Sequence, residues 1–210
     1  MSDALPEILY RDDRLIVLNK PAGLLSVPGI GPEKADCLAA RVATACPGAR
    51  IVHRLDRDTS GVIIMALDAQ AHRQLSVQFQ DRLVEKKYLA IVAGAVEGDE
   101  GSIDLPMRKD LDDPPRQIID HEQGREAATM WRVLARDFDR TRLELTPLTG
   151  RSHQLRLHMK VLGHPILGDD LYAPAEVLAM ADRLMLHALS LSIVHPSTAE
   201  RRTFEAPCPF

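Results

Sequence analysis

The order of predicted elements most constrains what this chain can fold into. Short apolar runs of strand length are mixed with amphipathic stretches of helix length, without a regular strand–helix–strand alternation. Regular alternation is typical of parallel sheets covered by helices, whereas irregular mixing favours an α+β protein. We therefore expect an α+β fold with a largely antiparallel mixed β-sheet and flanking helices.

The boundaries of several elements follow from apolar periodicity and capping residues. Asp68 can cap a helix because its carboxylate can accept a hydrogen bond from a free backbone N–H. Ser152 is placed to cap a second helix, and Gly163 is placed to end it. The sequence predicts a hairpin of 8–10 with 15–19, strands at 62–67, 88–93, 127–135, 142–146 and 185–194, helices at 69–84, 153–162 and 174–184, and an acidic loop at 97–113.

Length and composition indicate one globular domain over residues 1–210. Of the 210 residues, 45% are hydrophobic and 27% are charged, which is ordinary for a globular protein. No apolar stretch approaches the roughly 20 residues that span a bilayer, and the acidic N-terminus does not resemble a signal peptide. Cys37, Cys46 and Cys208 form no CxxC motif, so neither a disulfide framework nor a zinc site is indicated. We expect a cytoplasmic protein.

Charge is segregated along the chain. The formal net charge of -4 argues against attraction of a polyanion by the whole molecule. However, residues 151–164 contain two arginines, one lysine and three histidines but no acid, whereas residues 97–113 contain seven acids and two basic residues. A local basic surface that meets phosphates is therefore compatible with the acidic total.

A first candidate functional segment is HRLDRDTSG at residues 53–61, directly before an apolar strand. Arg54 and Asp56 are two residues apart and can project the same way from an extended chain. One interpretation is a solvated charged loop with a turn at its end, because most charge clusters are solvated. The other is an active-site loop at a strand edge.

A second candidate segment is TGRSHQLRLH at residues 149–158, where Arg151 precedes the predicted helix and Arg156 lies in its first turns. A cation near a helix N-terminus interacts unfavourably with the helix dipole. We therefore expect a negative partner for Arg156, either a buried carboxylate or a substrate phosphate. Arg151 could contact phosphate or support the loop.

The histidines do not indicate a metal site. His153 and His158 are five residues apart, which separates them by about 140° around a helix, whereas a spacing of four places two ligands on one face. A metal-dependent hydrolase is therefore disfavoured.

Four ordered motifs resemble the RluA-type pseudouridine synthases: HRLDRDTSG, KKYLAIVAG, GRSHQLRLHMKVLGHPILGD and LHALSLSIVHP. NKPAGLLSVPG near the start also fits, and the similarity runs from about Leu15 to the end. The resemblance implies the catalytic fold of that family, with a central active-site cleft. Many members carry an S4-like RNA-binding domain, which we do not expect here because the catalytic pattern begins within the first twenty residues.

The resemblance implies a reaction that needs no cofactor and no metal. In this family the N1–C1′ bond of a uridine in RNA breaks, the base turns, and C5 bonds to C1′. Asp56 would be the catalytic carboxylate, acting either by attack on C1′ or by removal of a C2′ proton. Arg156 would pair with Asp56, and Tyr88 would stack on the target base. Arg54 would fill the space that the flipped nucleotide leaves.

The resemblance also implies the partners. The short form of the family suggests 23S ribosomal RNA, the anticodon stem-loop of transfer RNA, or both, and we expect a monomer with no membrane partner. Action near the transfer RNA acceptor stem and a non-catalytic RNA-binding module are the alternatives. The expected RNA contacts are His53, Arg54, Arg57, Arg151 and Lys160.

Overall fold

The computed structural model describes residues 4–210, apart from the side chain of Glu33. Among these residues, no helix combines the length and the apolar character needed to cross a membrane. The helices are α1 Leu38–Ala45, α2 Ala69–Gln80, α3 Gln154–Val161 and the single turn α4 Ala175–Leu178. The strands are β1 Ile8–Arg11, β2 Leu15–Lys20, β3 Arg50–Ile51, β4 Ser60–Ala66, β5 Glu85–Ala93, β6 Glu100–Asp104, β7 Met107–Lys109, β8 Gln117–Ile119, β9 Ala128–Arg136, β10 Arg140–Pro147, β11 Leu186–Val194 and β12 Arg201–Glu205.

The described chain divides into two compact units. Unit 1 comprises residues 4–86 and 187–209, and unit 2 comprises residues 87–186 with Phe210. The sheet in unit 1 has the order β1-β2-β4-β11, with β3 beside β4 and β12 beside β11. Among the described strands of that unit, β4 and β11 pair in parallel and the other pairings are antiparallel. In unit 2 the order is β5-β10-β9-β6, and all pairings are antiparallel. The expected largely antiparallel α+β fold is confirmed.

The strands β2 and β4 form the centre of unit 1. Four successive residues of β2, Leu15 to Leu18, and nearly all of β4 are inaccessible to solvent. Both faces of these strands are covered, which explains why they are continuous apolar runs rather than alternating ones.

Helix α2 begins as predicted but ends early. The Asp68 carboxylate accepts hydrogen bonds from the N–H groups of Gln70 and Ala71, which confirms the predicted cap. The helix ends at Gln80 because Arg82 adopts a left-handed conformation with φ of 60°. The Leu83 N–H then donates to the Gln78 carbonyl at 2.9 Å, which closes a Schellman motif.

The predicted Ser152 cap of α3 is wrong. His153, in a left-handed conformation, occupies the N-cap position and makes no capping hydrogen bond with its side chain. The side chain of Gln154 holds the turn instead, since its Oε1 accepts from the Arg151 N–H at 3.0 Å and from the Thr149 hydroxyl at 2.7 Å. The predicted end at Gly163 is confirmed.

Two further expectations are wrong. The stretch 97–113 is not a loop, because β6 and β7 lie within it and Ile103 packs into the core while its acidic neighbours face solvent. The helix expected over 174–184 is only the turn α4. The chain beyond it leaves the helical path, and the Met185 N–H bonds to the Leu167 carbonyl at 3.0 Å.

The parallel pairing of β4 and β11 depends on Gly61. This residue has φ of +113°, and a Cβ atom built on it would lie 2.2 Å from the carbonyl oxygen of Ala188. The two backbones therefore approach more closely than any side chain permits. Gly163 also has a positive φ, of +91°, but nothing lies within 4 Å of its Cβ position.

We predict that Gly61→Ala destabilises unit 1 more than Gly163→Ala destabilises unit 2. Both variants add strain of about 1–3 kcal/mol from the positive φ. Gly61→Ala adds an overpacking cost of about 1–3 kcal/mol, because the backbone at Ala188 must move. Urea unfolding of both variants would measure the difference. Equal losses of unfolding free energy in the two variants would contradict the prediction, because they would show that the backbone at Ala188 can move away from residue 61 at no cost.

Candidate active site

Asp56 lies on the loop that joins β3 to β4 in unit 1. Its side chain is half-buried, while the neighbouring Arg54 and Arg57 are exposed. The Arg57 side chain is 55% exposed and contacts the Asp58 carboxylate at 3.0 Å. In sequence, Asp56 therefore lies between two exposed arginines, of which Arg57 is paired with Asp58.

Ser26 fixes the backbone on the N-terminal side of Asp56. Its hydroxyl donates to the Leu55 carbonyl at 2.7 Å and accepts from the Leu55 N–H at 3.1 Å. Both Ser26 and Leu55 are buried. A buried pair of hydrogen bonds of this kind holds the residue next to Asp56 in one conformation.

Lys20 fixes the C-terminal side of the same loop. Its side chain is fully buried, and its ammonium group donates to the carbonyls of Arg57 at 2.9 Å, Leu24 at 2.7 Å and Pro21 at 2.9 Å. The Gly23 N–H donates to the same Arg57 carbonyl at 2.9 Å. Hydrogen bonds from the segment of residues 20–26 thus hold the loop of residues 54–58 in place.

Sequence reasoning did not assign Lys20 and Ser26. For Lys20 a signal was available. It ends a mostly apolar strand, and a lysine that is buried there needs partners, because lysine is almost never fully buried without them.

His53 is held inside unit 1. Its ring stacks on Phe79 with 4.5 Å between centroids, and its Nε2 accepts from the Ile64 N–H at 3.1 Å. Desolvation lowers the pKa of His53 to about 3, and the charge of Lys86 contributes in the same direction. The ring is therefore neutral at neutral pH and extends the backbone hydrogen bonding of β4. Its assignment as an RNA contact stays a prediction.

Arg156 lies on α3 in unit 2 and is 3% exposed. Its Nε donates to Asp169 Oδ2 at 2.8 Å, and its Nη2 donates to Asp169 Oδ1 at 2.5 Å and to Asp170 Oδ1 at 2.7 Å. The guanidinium also lies 5.4 Å from the ring centre of Tyr172. Of the two expected kinds of negative partner, the structure contains the buried carboxylate.

Tyr88 lies on β5 in unit 2, opposite Leu145 on β10. Its half-buried ring packs against the apolar cluster of that unit. One face of the side chain is therefore supported by the core.

Arg151 and Lys160 lie at the two ends of α3. The Arg151 Nε donates to the Glu126 carbonyl at 3.0 Å, which is the loop-supporting role considered for this residue. The exposed Lys160 ammonium lies 6.0 Å from the ring centre of Tyr172. Phosphate contacts by both residues stay predictions.

Two further buried histidines, His158 and His187, serve as hydrogen-bonding groups. His158 is buried with Nδ1 at 2.9 Å from the Thr129 hydroxyl, and desolvation lowers its pKa. The ring of His187 bonds to the Ser60 hydroxyl at 2.8 Å and to the Ala206 carbonyl at 3.1 Å. Within residues 4–210, no group of three or more histidines, cysteines and acids could hold a metal ion.

The structure thus brings together His53, Arg54, Asp56 and Arg57 in unit 1, whereas Tyr88, Arg151, Arg156 and Lys160 belong to unit 2. In chemical terms, unit 1 offers a carboxylate on a fixed loop. Unit 2 offers an aromatic ring and a buried guanidinium whose orientation is set by a carboxylate.

Comparison with known proteins identifies relatives over nearly the whole chain. Residues 14–160 match the family model described as RNA pseudouridylate synthase. Two relatives named dual-specificity RNA pseudouridine synthase RluA, from Yersinia pestis and Escherichia coli K12, are each 49% identical over 97% of this chain and over 99% and 93% of their own lengths.

Solved structures agree with this result. The human RNA pseudouridylate synthase domain containing 1 has a TM-score of 0.84 and 29% identity, and the match covers 100% of this chain and 86% of that one. The human domain containing 4 protein has a TM-score of 0.77 and 27% identity, with 97% and 88% covered. The chain therefore belongs to the RNA pseudouridylate synthase family and is an isomerase that forms pseudouridine from uridine in RNA.

Proposed function

We propose that the chain, as a single catalytic domain, modifies uridines in both 23S ribosomal RNA and the anticodon stem-loop of transfer RNA. The near full-length identity to relatives named as dual-specificity enzymes supports two substrates. We further propose that it acts as a monomer in the cytoplasm, without a cofactor or metal.

The observation that carries the catalytic proposal is the fixed loop around Asp56. Ser26 bonds both backbone groups of Leu55, and Lys20 bonds the carbonyl of Arg57, so the residues on either side of Asp56 are immobilised. A preorganised carboxylate loses little conformational entropy when it is positioned against the reacting sugar. Asp56 would either bond to C1′ as the N1–C1′ bond breaks, and be expelled when C5 bonds to C1′, or take the C2′ proton as the N1–C1′ bond breaks and return that proton to C2′ when C5 bonds to C1′.

The reaction suits a single carboxylate. An ordinary glycosidase needs a second acid to protonate its leaving group. Here the uracil leaves as a delocalised anion, turns, and forms the C5–C1′ bond in the same site. Loss of the C5 proton and protonation of N1 then complete the isomerisation without any external reactant. Tyr88 would stack on the base and could take part in removing the C5 proton.

Arg156 is proposed as the partner of Asp56. A neighbouring guanidinium favours the ionised carboxylate and orients it through a charge-assisted hydrogen bond. Its bonds to Asp169 use Nε and Nη2, which form one edge of the planar group.

Arg54 is proposed to fill the stack that the extruded uridine leaves. Its side chain is exposed and belongs to the loop that carries Asp56. With Arg57, Arg151 and Lys160 it would neutralise backbone phosphates. One alternative differs from this proposal: action near the transfer RNA acceptor stem.

We predict that Asp56→Asn lowers turnover at least about a hundredfold, in the range of a lost acid–base or nucleophilic group, while RNA affinity and melting temperature stay near native. The amide keeps the side-chain volume but lacks the charge and the nucleophilicity. The measurement is pseudouridine formed in RNA per enzyme. Asp58→Asn, in the same loop, is the control and should keep native turnover. A tenth of native turnover by Asp56→Asn would exclude the assigned role.

RNA binding should weaken steeply with salt, despite the net charge of -4. Each phosphate that an arginine neutralises releases counterions. Arg54→Gln should therefore reduce the slope of log affinity against log salt by about 1. The exposed Arg11 of β1 supplies the control Arg11→Gln, for which we expect the native slope. An unchanged slope for Arg54→Gln would place Arg54 away from the RNA backbone.

Turnover should be faster on a loop uridine than on a paired one. Asp56 cannot reach C1′ of a stacked nucleotide, and extrusion costs a few kcal/mol for a paired base but less for a loop base. The test compares an anticodon stem-loop and a 23S hairpin with the same uridines in perfect duplexes and with an isolated acceptor stem. Equal rates on hairpin and duplex would contradict the prediction. Turnover on the acceptor stem alone would support the alternative.

A further inference from the structure

Asp169 makes four hydrogen bonds with one fully buried carboxylate. It accepts from Arg156 Nε at 2.8 Å and Nη2 at 2.5 Å, and from the backbone N–H groups of Leu171 at 2.9 Å and Tyr172 at 3.0 Å. The two backbone bonds fix the carboxylate, and the fixed carboxylate then meets the guanidinium in a two-point contact. A two-point contact sets the plane of the guanidinium as well as its position.

The chain before Asp169 is also locked. Gly168 has φ of +69°, and a Cβ atom on it would lie 2.0 Å from the Arg183 carbonyl oxygen. The backbone at Gly168 therefore packs directly on another backbone segment. Asp169 is consequently anchored on both sides, which is unusual for a residue in a loop.

Asp170 differs from Asp169 although it is the next residue. Its side chain is 49% exposed, and its contact with Arg156 Nη2 at 2.7 Å is a single hydrogen bond. Solvent screens such a contact, and one bond does not define a plane. Asp169 is therefore the candidate for an orienting group, and the adjacent Asp170 offers a matched control.

We propose that Asp169 is a positioning residue for isomerisation, because it holds the Arg156 guanidinium in the orientation that the reaction uses. The proposal rests on the catalytic role proposed above for Arg156. Arginine has a long side chain with several rotatable bonds, and its ordering costs entropy. Asp169 already orders the Arg156 side chain in the folded protein, so the entropy cost of ordering it does not arise when RNA binds. A buried ion pair is by itself weak evidence for stability, which makes an orienting role the more specific explanation.

The first test compares Asp169→Asn with Asp170→Asn. Displacement of a catalytic group by about 1 Å can cost about 100-fold in rate. Asp169→Asn should therefore lower kcat about 100-fold, while KM for the RNA changes little. Asp170→Asn should stay within about fivefold of native kcat, as expected for a screened surface contact. Native kcat in folded Asp169→Asn would overturn the proposal.

Asp169→Glu is the second variant, since Asp169→Asn breaks a buried ion pair and could unfold unit 2. It keeps the charge but moves the carboxylate by one methylene group. We expect the same loss of kcat. Recovery of native kcat in Asp169→Glu would show that only the charge matters and would overturn a role in orientation.

A third measurement uses the native protein and does not depend on activity. The Arg156 Nε–H donates to a buried acceptor, so its NMR signal should exchange slowly with solvent, and Arg156→Lys identifies that signal by removing it. A fast-exchanging Nε–H in native protein would overturn the positioning proposal. Native kcat in Arg156→Met, which removes the cation, would instead overturn the catalytic role of Arg156, and the exchange rate would still report whether Asp169 holds the side chain.

Discussion

The burial of one lysine ammonium organises the site in unit 1. An isolated ammonium group taken out of water loses several kcal/mol of solvation in effective terms, so it must be surrounded by acceptors. Lys20 meets this requirement with three backbone carbonyls that belong to two separate segments of the chain. The segment of residues 20–26 and the loop of residues 54–58 must therefore keep their relative positions for the ammonium group to remain satisfied.

The two units use different means to hold the side chain that we propose to act in each. In unit 1, hydrogen bonds from Ser26 and Lys20 hold the backbone on both sides of Asp56. This is sufficient because the Asp56 carboxylate lies at the end of a short side chain with few rotamers. In unit 2 the functional group of Arg156 lies at the end of a long side chain, so bonding its backbone would not fix it. A direct contact to the guanidinium is needed, and Asp169 supplies it.

Local patterns in the sequence were sufficient to predict several boundaries of secondary structure and the kind of charged partner that Arg156 needs. The Asp68 cap, the end of α3 at Gly163 and the need of Arg156 for a negative partner follow from residues close in sequence, and the structure contains all three. The identity of the partner did not follow, because Asp169 is 13 residues away in an irregular segment. Strand β6 was missed because Ile103 alone of its residues is buried in the core. The Ser152 cap was wrong because a buried glutamine replaced it.

The neutral state of His53 has a consequence for how the charge of the neighbouring loop responds to acidity. Phosphate groups commonly draw a proton onto a nearby imidazole, and binding is then linked to proton uptake. A histidine whose pKa is held near 3 does not take up that proton in the physiological range. The positive charge of the loop is therefore carried by guanidinium groups, which stay ionised at every cellular pH. Acidification would therefore leave the positive charge of this loop unchanged.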